Sequence, residues 1–342
     1  MKRVVADFLR KTLKTIKYRR IFLEEYDTFL KTKVSSEKGY LIFRELFVMT
    51  RGRSNDKISL KINAALGKYK HVEANGILGN LKKEDIAKKV SDMKKNGFVQ
   101  FDTVLPDHMI DEIFNYASKT PVSYLETATN TQKSSDAKVI FDETKPISPR
   151  YNYTGNEIVK CDALQELIFD QSLLAFAQEY LGCKPILDLV AFWWSAPFDG
   201  VGKNAAAQMY HFDLDRIKFM KFFFYITDVT PETGPHCFVK GSHGKLPKEI
   251  NRDGRFEDDT IESIYGKENL IEICGKRGSI LAVDTRGFHK GKDLSEGKRL
   301  LFQIQFTNSL FGQTYKPVDQ SLILPKYQGL VEKYHHTYHN IC

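Results

Sequence analysis

A chain of 342 residues is long for one compact unit and short for two full-sized ones. Its hydrophobic content of 42% and charged content of 27% are those of an ordinary globular protein with a sizeable core. The formal charge of +8 raises three kinds of partner: nucleic acid, an anionic surface, or an acidic small molecule. Most of that excess sits in residues 1–33, where ten Lys and Arg face four Asp and Glu. No zinc-finger, RNP-type or P-loop pattern accompanies it, so a nucleic-acid partner is not expected.

In chain order, residues 1–33 read as a helix. Val4, Val5, Phe8, Leu9, Leu13 and Ile16 recur on one face with Lys and Arg on the other. Such a basic amphipathic stretch can make a weak contact with a membrane surface, but docking of its apolar face on the protein's own core is preferred. Residues 34–75 give no clear pattern. Leu81–Lys95 is helical and stopped by Gly97, Phe98–Val104 is a strand, and Pro106 opens a helix through Ser118. Residues 120–160 are polar, contain three prolines and lack periodicity, which marks them as a long loop and a candidate lid. In that loop Arg150 and Tyr151 are candidates to touch a substrate on closure. Asp162–Leu181 reads as one helix ending at Gly182.

Short strands with turn punctuation follow: Pro185–Ala196, Ala207–Phe212, Ile217–Thr227, His236–Val239, Leu270–Cys274, Ser279–Val283 and Leu300–Thr307. Many short strands at this spacing suggest a sandwich or barrel, the double-sheet jelly roll included. The expectation is an α+β protein: an N-terminal helical extension (1–75), a jelly-roll, or double-stranded β-helix, core with flanking helices (76–312), and a C-terminal tail packed on the core (313–342). Five scattered cysteines without a CxxC pair read as reduced thiols, and neither a signal peptide nor a membrane span is evident, so a cytoplasmic location is expected.

The chemistry concentrates in two places. In Gln208-Met-Tyr-His211-Phe-Asp213, an extended chain turns His211 and Asp213 to one side. Far downstream, His289 follows a strand and its Asp284-Thr-Arg-Gly turn. Two imidazoles and one carboxylate on one side of a metal form the facial triad of non-haem iron(II) oxygenases, with positions left open for a co-substrate and dioxygen. Ten residues past His289, Arg299 opens an apolar strand. A guanidinium buried there needs an anion, and a carboxylate is its natural bidentate partner. A ligand that chelates iron at one end and carries a carboxylate at the other, such as 2-oxoglutarate, satisfies both demands. Gln208 is a candidate to hydrogen-bond that co-substrate. His236 and His243 lie close in sequence but lack zinc-site spacing, and His243 reads as bracing a turn; His335, His336 and His339 read as tail residues, and Lys218 and Lys221 as solvated edges that could meet a carboxylate. One of Trp193 and Trp194 should enter the core and the other face the opposite side, where it could line a pocket.

The stretch from about Gly76 to Gly312 resembles the phytanoyl-CoA dioxygenase family of 2-oxoglutarate- and iron(II)-dependent oxygenases. The matching text is HFD at 211–213, the strand Phe219–Thr227, TGPHCFVKGSH at 233–243, DTRGFHKG at 284–291, and Arg299. The resemblance implies a jelly roll with Fe(II) and 2-oxoglutarate near its mouth, and decarboxylation of 2-oxoglutarate to succinate coupled to substrate oxidation. Halogenating relatives carry a small residue where Asp213 stands, so hydroxylation of a small-molecule or carrier-tethered substrate is the expected outcome. The rival readings are a cupin-like metal enzyme that does not use 2-oxoglutarate and a non-catalytic jelly-roll binding protein.

Overall fold

The structure is a computed structural model that describes residues 2–127, 133–199 and 208–340; of residues 2–9 it describes the backbone alone. The predicted apolar positions Val4, Val5, Phe8 and Leu9 therefore lie outside the described side chains. So do the 128–132 part of the predicted lid and Ala207.

Three helices come first: α1 (Lys2–Thr32), α2 (Glu37–Thr50) and α3 (Arg53–Leu66). The chain then runs through a short ribbon, β1 (Asn75–Gly76) and β2 (Gly79–Asn80), to α4 (Lys83–Asn96), β3 (Phe98–Val104), α5 (Asp107–Lys119), β4 (Val122–Leu125), β5 (Ser134–Val139) and β6 (Arg150–Tyr153). Next come α6 (Gly155–Ile158), α7 (Asp162–Ile168), α8 (Gln171–Leu181), β7 (Ile186–Ser195), β8 (Phe219–Tyr225), β9 (His236–Val239) and α9 (Asp258–Tyr265). The strands β10 (Leu270–Ile273), β11 (Ser279–Val283), β12 (His289–Gly291) and β13 (Arg299–Thr307) close the sheets, before α10 (Gln328–Lys333) and α11 (His335–Tyr338).

Eight strands form one antiparallel sheet in the order β3-β11-β8-β13-β7-β6-β4-β5, and three form a second, β10-β9-β12. The two sheets make the jelly roll, and strand parity decides what lies between them. Along β13, Leu300, Phe302, Ile304 and Phe306 join the core on the outer face, while Arg299, Leu301 and Gln303 point inward. Along β8, Met220, Phe222 and Phe224 go outward and Lys221 and Phe223 inward. Helices α4, α5, α7 and α8 contribute Val90, Ile113, Leu164 and Phe176 to the outer core. Tyr334 and Tyr338, in the C-terminal segment, are buried in it as well.

The N-terminal helices pack on the other side, against the smaller sheet. Phe22 and Phe29 of α1 and Phe43 and Phe47 of α2 share a cluster with Phe212, Val239, Phe288 and Phe311. The edge of the Phe311 ring meets Phe22, Phe29 and Phe43 at centroid distances of 5.3, 5.5 and 6.0 Å. Helix α1 does dock on the core, but by Phe22 and Phe29 and not by the predicted face, whose described members Leu13 and Ile16 are exposed.

Three sequence expectations need correction. Residues 120–160 are not a structureless loop, because β4, β5 and β6 extend the large sheet at its edge. The polar, mostly exposed residues of β5 hide the alternation that marks a half-buried strand. The helix expected over 162–181 is two, since the Asp170 side chain accepts hydrogen bonds from Leu173 N and Ile77 N and starts a second helix. The expected strand 207–212 is reduced, within the described residues, to isolated bridges of Tyr210 with Phe256 and His211 with His289.

Candidate metal centre

His211 and Asp213 lie beyond the large sheet, and His289 opens β12 of the small one. A reciprocal backbone pair joins them: His211 N donates to His289 O (3.0 Å) and His289 N to His211 O (2.8 Å). Asp213 N donates to Thr285 O at 2.8 Å, which fixes the carboxylate beside the two rings. The turn before His289 is braced from below. The buried Asp284 carboxylate accepts from Arg286 Nη2 (2.8 Å) and from the Tyr180 hydroxyl (2.6 Å). Gly287 allows the close approach that the turn needs: a Cβ there would lie 2.9 Å from Ser242 Oγ and 3.0 Å from His243 N.

The ligand-capable atoms of His211, Asp213 and His289 all fall within 4.8 Å of one another. His211 Nε2 is 3.6 Å from Asp213 Oδ1, and His289 Nε2 is 3.5 Å from Asp213 Oδ2. Each imidazole donates its Nδ1–H to a carbonyl two residues back, Met209 O or Gly287 O, both at 2.9 Å. That fixes the tautomer in which Nε2 keeps a free lone pair toward the shared space. Burial pushes both rings down, His289 to about 3, so both are neutral at neutral pH. For Asp213 burial works the other way, but the Lys221 ammonium and the two imidazoles outweigh it and hold the carboxyl far below its usual range. Two neutral imidazoles and one carboxylate fit Fe(II).

These side chains line an inner chamber of about 260 Å³ together with Arg150, Lys221, His236 and Arg299. Arg299 is buried, and its Nη2 donates to Ser195 Oγ at 3.3 Å. Its Nε has no partner among the described residues, and no carboxylate there lies within ion-pair distance. An orphaned, buried guanidinium in the metal chamber fits the carboxylate of 2-oxoglutarate. Gln208 sits further out, in a vestibule of about 470 Å³ that also reaches Arg150 and Arg299.

Sequence reasoning underestimated three residues. Lys221 is not a solvated edge. It is buried, with Nζ 2.6 Å from Asp213 Oδ2 and 3.7 Å from Asp215 Oδ2. His236 faces the chamber, its ring 5.3 Å from that of His289 and its buried Nε2 without a partner among the described residues. Arg150 stacks on Trp193 at 4.3 Å and is paired through the sheet to Ser195, the neighbour of Arg299. Trp194 lies in the outer core and Trp193 on the chamber wall, as strand alternation requires. His243 does brace its turn, through Nε2 to Lys94 O at 3.0 Å. Lys218 approaches Tyr180 O and does not reach the chamber. Among the described residues, no other group of His, Cys, Asp or Glu converges as a metal site would, the C-terminal histidines included.

A jelly roll with this donor set and a buried guanidinium beside it defines the class of non-haem iron oxygenases that use 2-oxoglutarate. The sequence model described as "Phytanoyl-CoA dioxygenase (PhyH)" matches residues 93–300, well over half of the chain and all four residues of the motif. The chain belongs to the phytanoyl-CoA dioxygenase family, whose cofactors are Fe(II) and 2-oxoglutarate. No curated protein sequence matches it. Among solved structures it is similar in fold to EctD from S. alaskensis with bound Fe, at 12% identity and a TM-score of 0.50, over 74% of this chain and 88% of that one. AviO1 from Streptomyces viridochromogenes Tue57 aligns at 17% identity and a TM-score of 0.44, over 66% and 96% of the two chains. HygX from Streptomyces hygroscopicus, solved with nickel, 2-oxoglutarate and hygromycin B, aligns at 16% and 0.43, over 69% and 88%.

Proposed function

We propose that this oxygenase hydroxylates an unactivated C–H bond of a small-molecule or carrier-tethered substrate, using residues 76–312 as its catalytic unit. Residues 1–75 form a helical extension and 313–342 a packed tail. In this reading His211, Asp213 and His289 hold the iron, and Arg299 takes the distal carboxylate of 2-oxoglutarate. The observation that carries it is the convergence of three ligand atoms in one chamber with a buried guanidinium that lacks an anion.

Iron and 2-oxoglutarate, when bound, supply the oxidising chemistry, with release of succinate and carbon dioxide. The chain's own residues prepare the site. The Nδ1–H bonds of both histidines hold Nε2 toward the metal position. Lys221 grips Asp213 Oδ2, which favours coordination through a single carboxylate oxygen. Arg150 adds a second positive charge next to Arg299, so the distal end of the chamber is arranged for an anion. His236 Nε2 offers a hydrogen bond to whatever occupies the space in front of it. The aromatic and aliphatic parts of Trp193, Phe223 and Leu301 keep bulk water from the reacting atoms. Gln208, at the vestibule, is assigned to contact the co-substrate or substrate as it enters.

The test is direct. Purified protein with Fe(II) and 2-oxoglutarate should release succinate and consume oxygen, with stimulation by the true substrate in a screen of acyl-CoAs, sugar nucleotides and amino acids. Asp213→Ala should abolish both readouts. Undiminished turnover in that variant would remove the assignment.

A further inference from the structure

Helix α1 carries more apolar surface than its docking uses. Phe22 and Phe29 are buried, with Tyr18 and Tyr26 packed beside them. Yet Leu13, Ile16, Leu23 and Leu30 are 66, 58, 53 and 48% exposed. Ile16, Leu23 and Leu30 recur every seven residues, so they lie in one row along the helix, separate from the aromatic face. From Leu13 to Leu30 this row runs for roughly 25 Å at about 1.5 Å per residue. Single exposed leucines need no explanation; a row of four on one helix does.

The surroundings of the row are basic. Lys17, Arg19, Arg20, Lys31 and Lys33 are within or beside it, against Glu24, Glu25 and Asp27. Of those acids, Glu24 pairs with Arg20 and Glu25 with Lys38. A basic groove of about 1030 Å³ between α1, α2 and residues 247–253 lies on the other side of α1. Its lining residues Arg10, Lys11 and Lys14 are roughly 120–160° around the helix from Ile16, at about 100° per residue, so it is not part of this face.

We propose that this face of α1 docks the enzyme on an anionic lipid surface. Leu13, Ile16, Leu23 and Leu30 enter the boundary between headgroups and acyl chains, and the lysines and arginines meet the headgroups. No helix of the described chain is long and apolar enough to cross a membrane, so the contact is peripheral. A second copy of the chain fits the face less well, because pairing two such helices sets like charges against each other. This inference does not depend on the chemistry assigned to the chamber.

The experiment is sedimentation of the full chain with vesicles of phosphatidylcholine containing phosphatidylserine, and with phosphatidylcholine alone. Binding should occur with the anionic vesicles and fall with added salt. Leu23→Asp should lower the partition coefficient roughly tenfold or more, as loss of one buried leucine implies. Lys17→Glu with Arg19→Glu should do the same, each charge near the surface being worth about 1 kcal/mol. Circular dichroism and succinate release should match wild type in both variants. Inorganic phosphate at matched ionic strength should leave binding unchanged. Equal binding to neutral vesicles, no binding at all, or indifference to Leu23→Asp overturns the proposal. So does displacement by phosphate, which would make the basic residues a simple anion site. A self-association lost in Leu23→Asp without vesicle binding would give the face to a second copy.

Discussion

Arg299 offers a test in which stability and binding move in opposite directions. Its side chain is buried, its Nε has no partner among the described residues, and burial pushes the guanidinium's pKa below its ordinary value. In the ligand-free protein this charge is a liability, because an uncompensated buried ion is unfavourable by several kcal/mol before relaxation. Arg299→Met keeps similar bulk and removes the charge, so ligand-free stability should rise by on the order of 1–3 kcal/mol. At roughly 2 °C per kcal/mol for a chain of this size, the melting temperature should rise by about 2–6 °C. Affinity for 2-oxoglutarate should fall instead. Truncating one partner of a buried, hydrogen-bonded charge pair costs about 2–5 kcal/mol, or roughly 30-fold to several thousand-fold in Kd. Arg299→Lys, which keeps the charge but not the planar fork, should fall between. Two measurements suffice: anaerobic titration of the iron–2-oxoglutarate charge-transfer band, and thermal denaturation with and without 2-oxoglutarate. A variant that binds 2-oxoglutarate as wild type does, or melts lower without ligand, refutes the view that Arg299 waits for an anion.

Two further outcomes follow from neighbouring contacts. Lys221 should act on the metal through Asp213, so Lys221→Gln should weaken Fe(II) binding roughly 10- to 100-fold by calorimetric titration, with partial rescue in Lys221→Arg; tighter binding in Lys221→Gln would mean that the ammonium competes with the metal. Asp284 resists burial because Arg286 and Tyr180 hold its carboxyl at about 2. A carboxyl depressed on folding stabilises above its unfolded pKa of roughly 4, and that stability is lost as pH falls through the folded value. Asp284→Asn should therefore lose on the order of 2 kcal/mol at neutral pH, with an acid-unfolding limb between about pH 4 and 2 flatter than wild type. Urea titrations across that range check the slope, and parallel curves would refute the sign.

How far the fold could be read depended on whether a segment's pattern reports its own burial. The strands β9 and β11 match their sequence bounds because turn residues flank both. The helix α2 was missed although Phe43, Leu46, Phe47 and Thr50 repeat at helical spacing and Ser36 caps it. Its signal was diluted by reading it together with the polar stretch up to residue 75. The edge strand β5 carried no signal, since Lys and Asp at an exposed edge satisfy the sheet without an apolar face.

The candidate metal site was legible because its chemistry is coded locally: His211 and Asp213 two residues apart, and His289 and Arg299 each at the start of a strand. Lys221 and His236 were not, because their character comes from what the fold sets opposite them. A Lys within KFMKFFFY looks like an edge, and a His that opens a strand after Gly-Pro carries no sign of the face it takes. Parity could have placed Lys221. Phe222 and Phe224 had to share the apolar face of a two-sided strand, so Lys221 and Phe223 had to point to the other one, where Asp213 was already expected. A buried lysine on that face cannot remain unpaired, and the carboxylate within its reach is Asp213, the proposed metal ligand. The polar residue that interrupts an otherwise apolar strand thus marks the functional face of the sheet, and the charge that burial forbids it to leave unpaired names its partner.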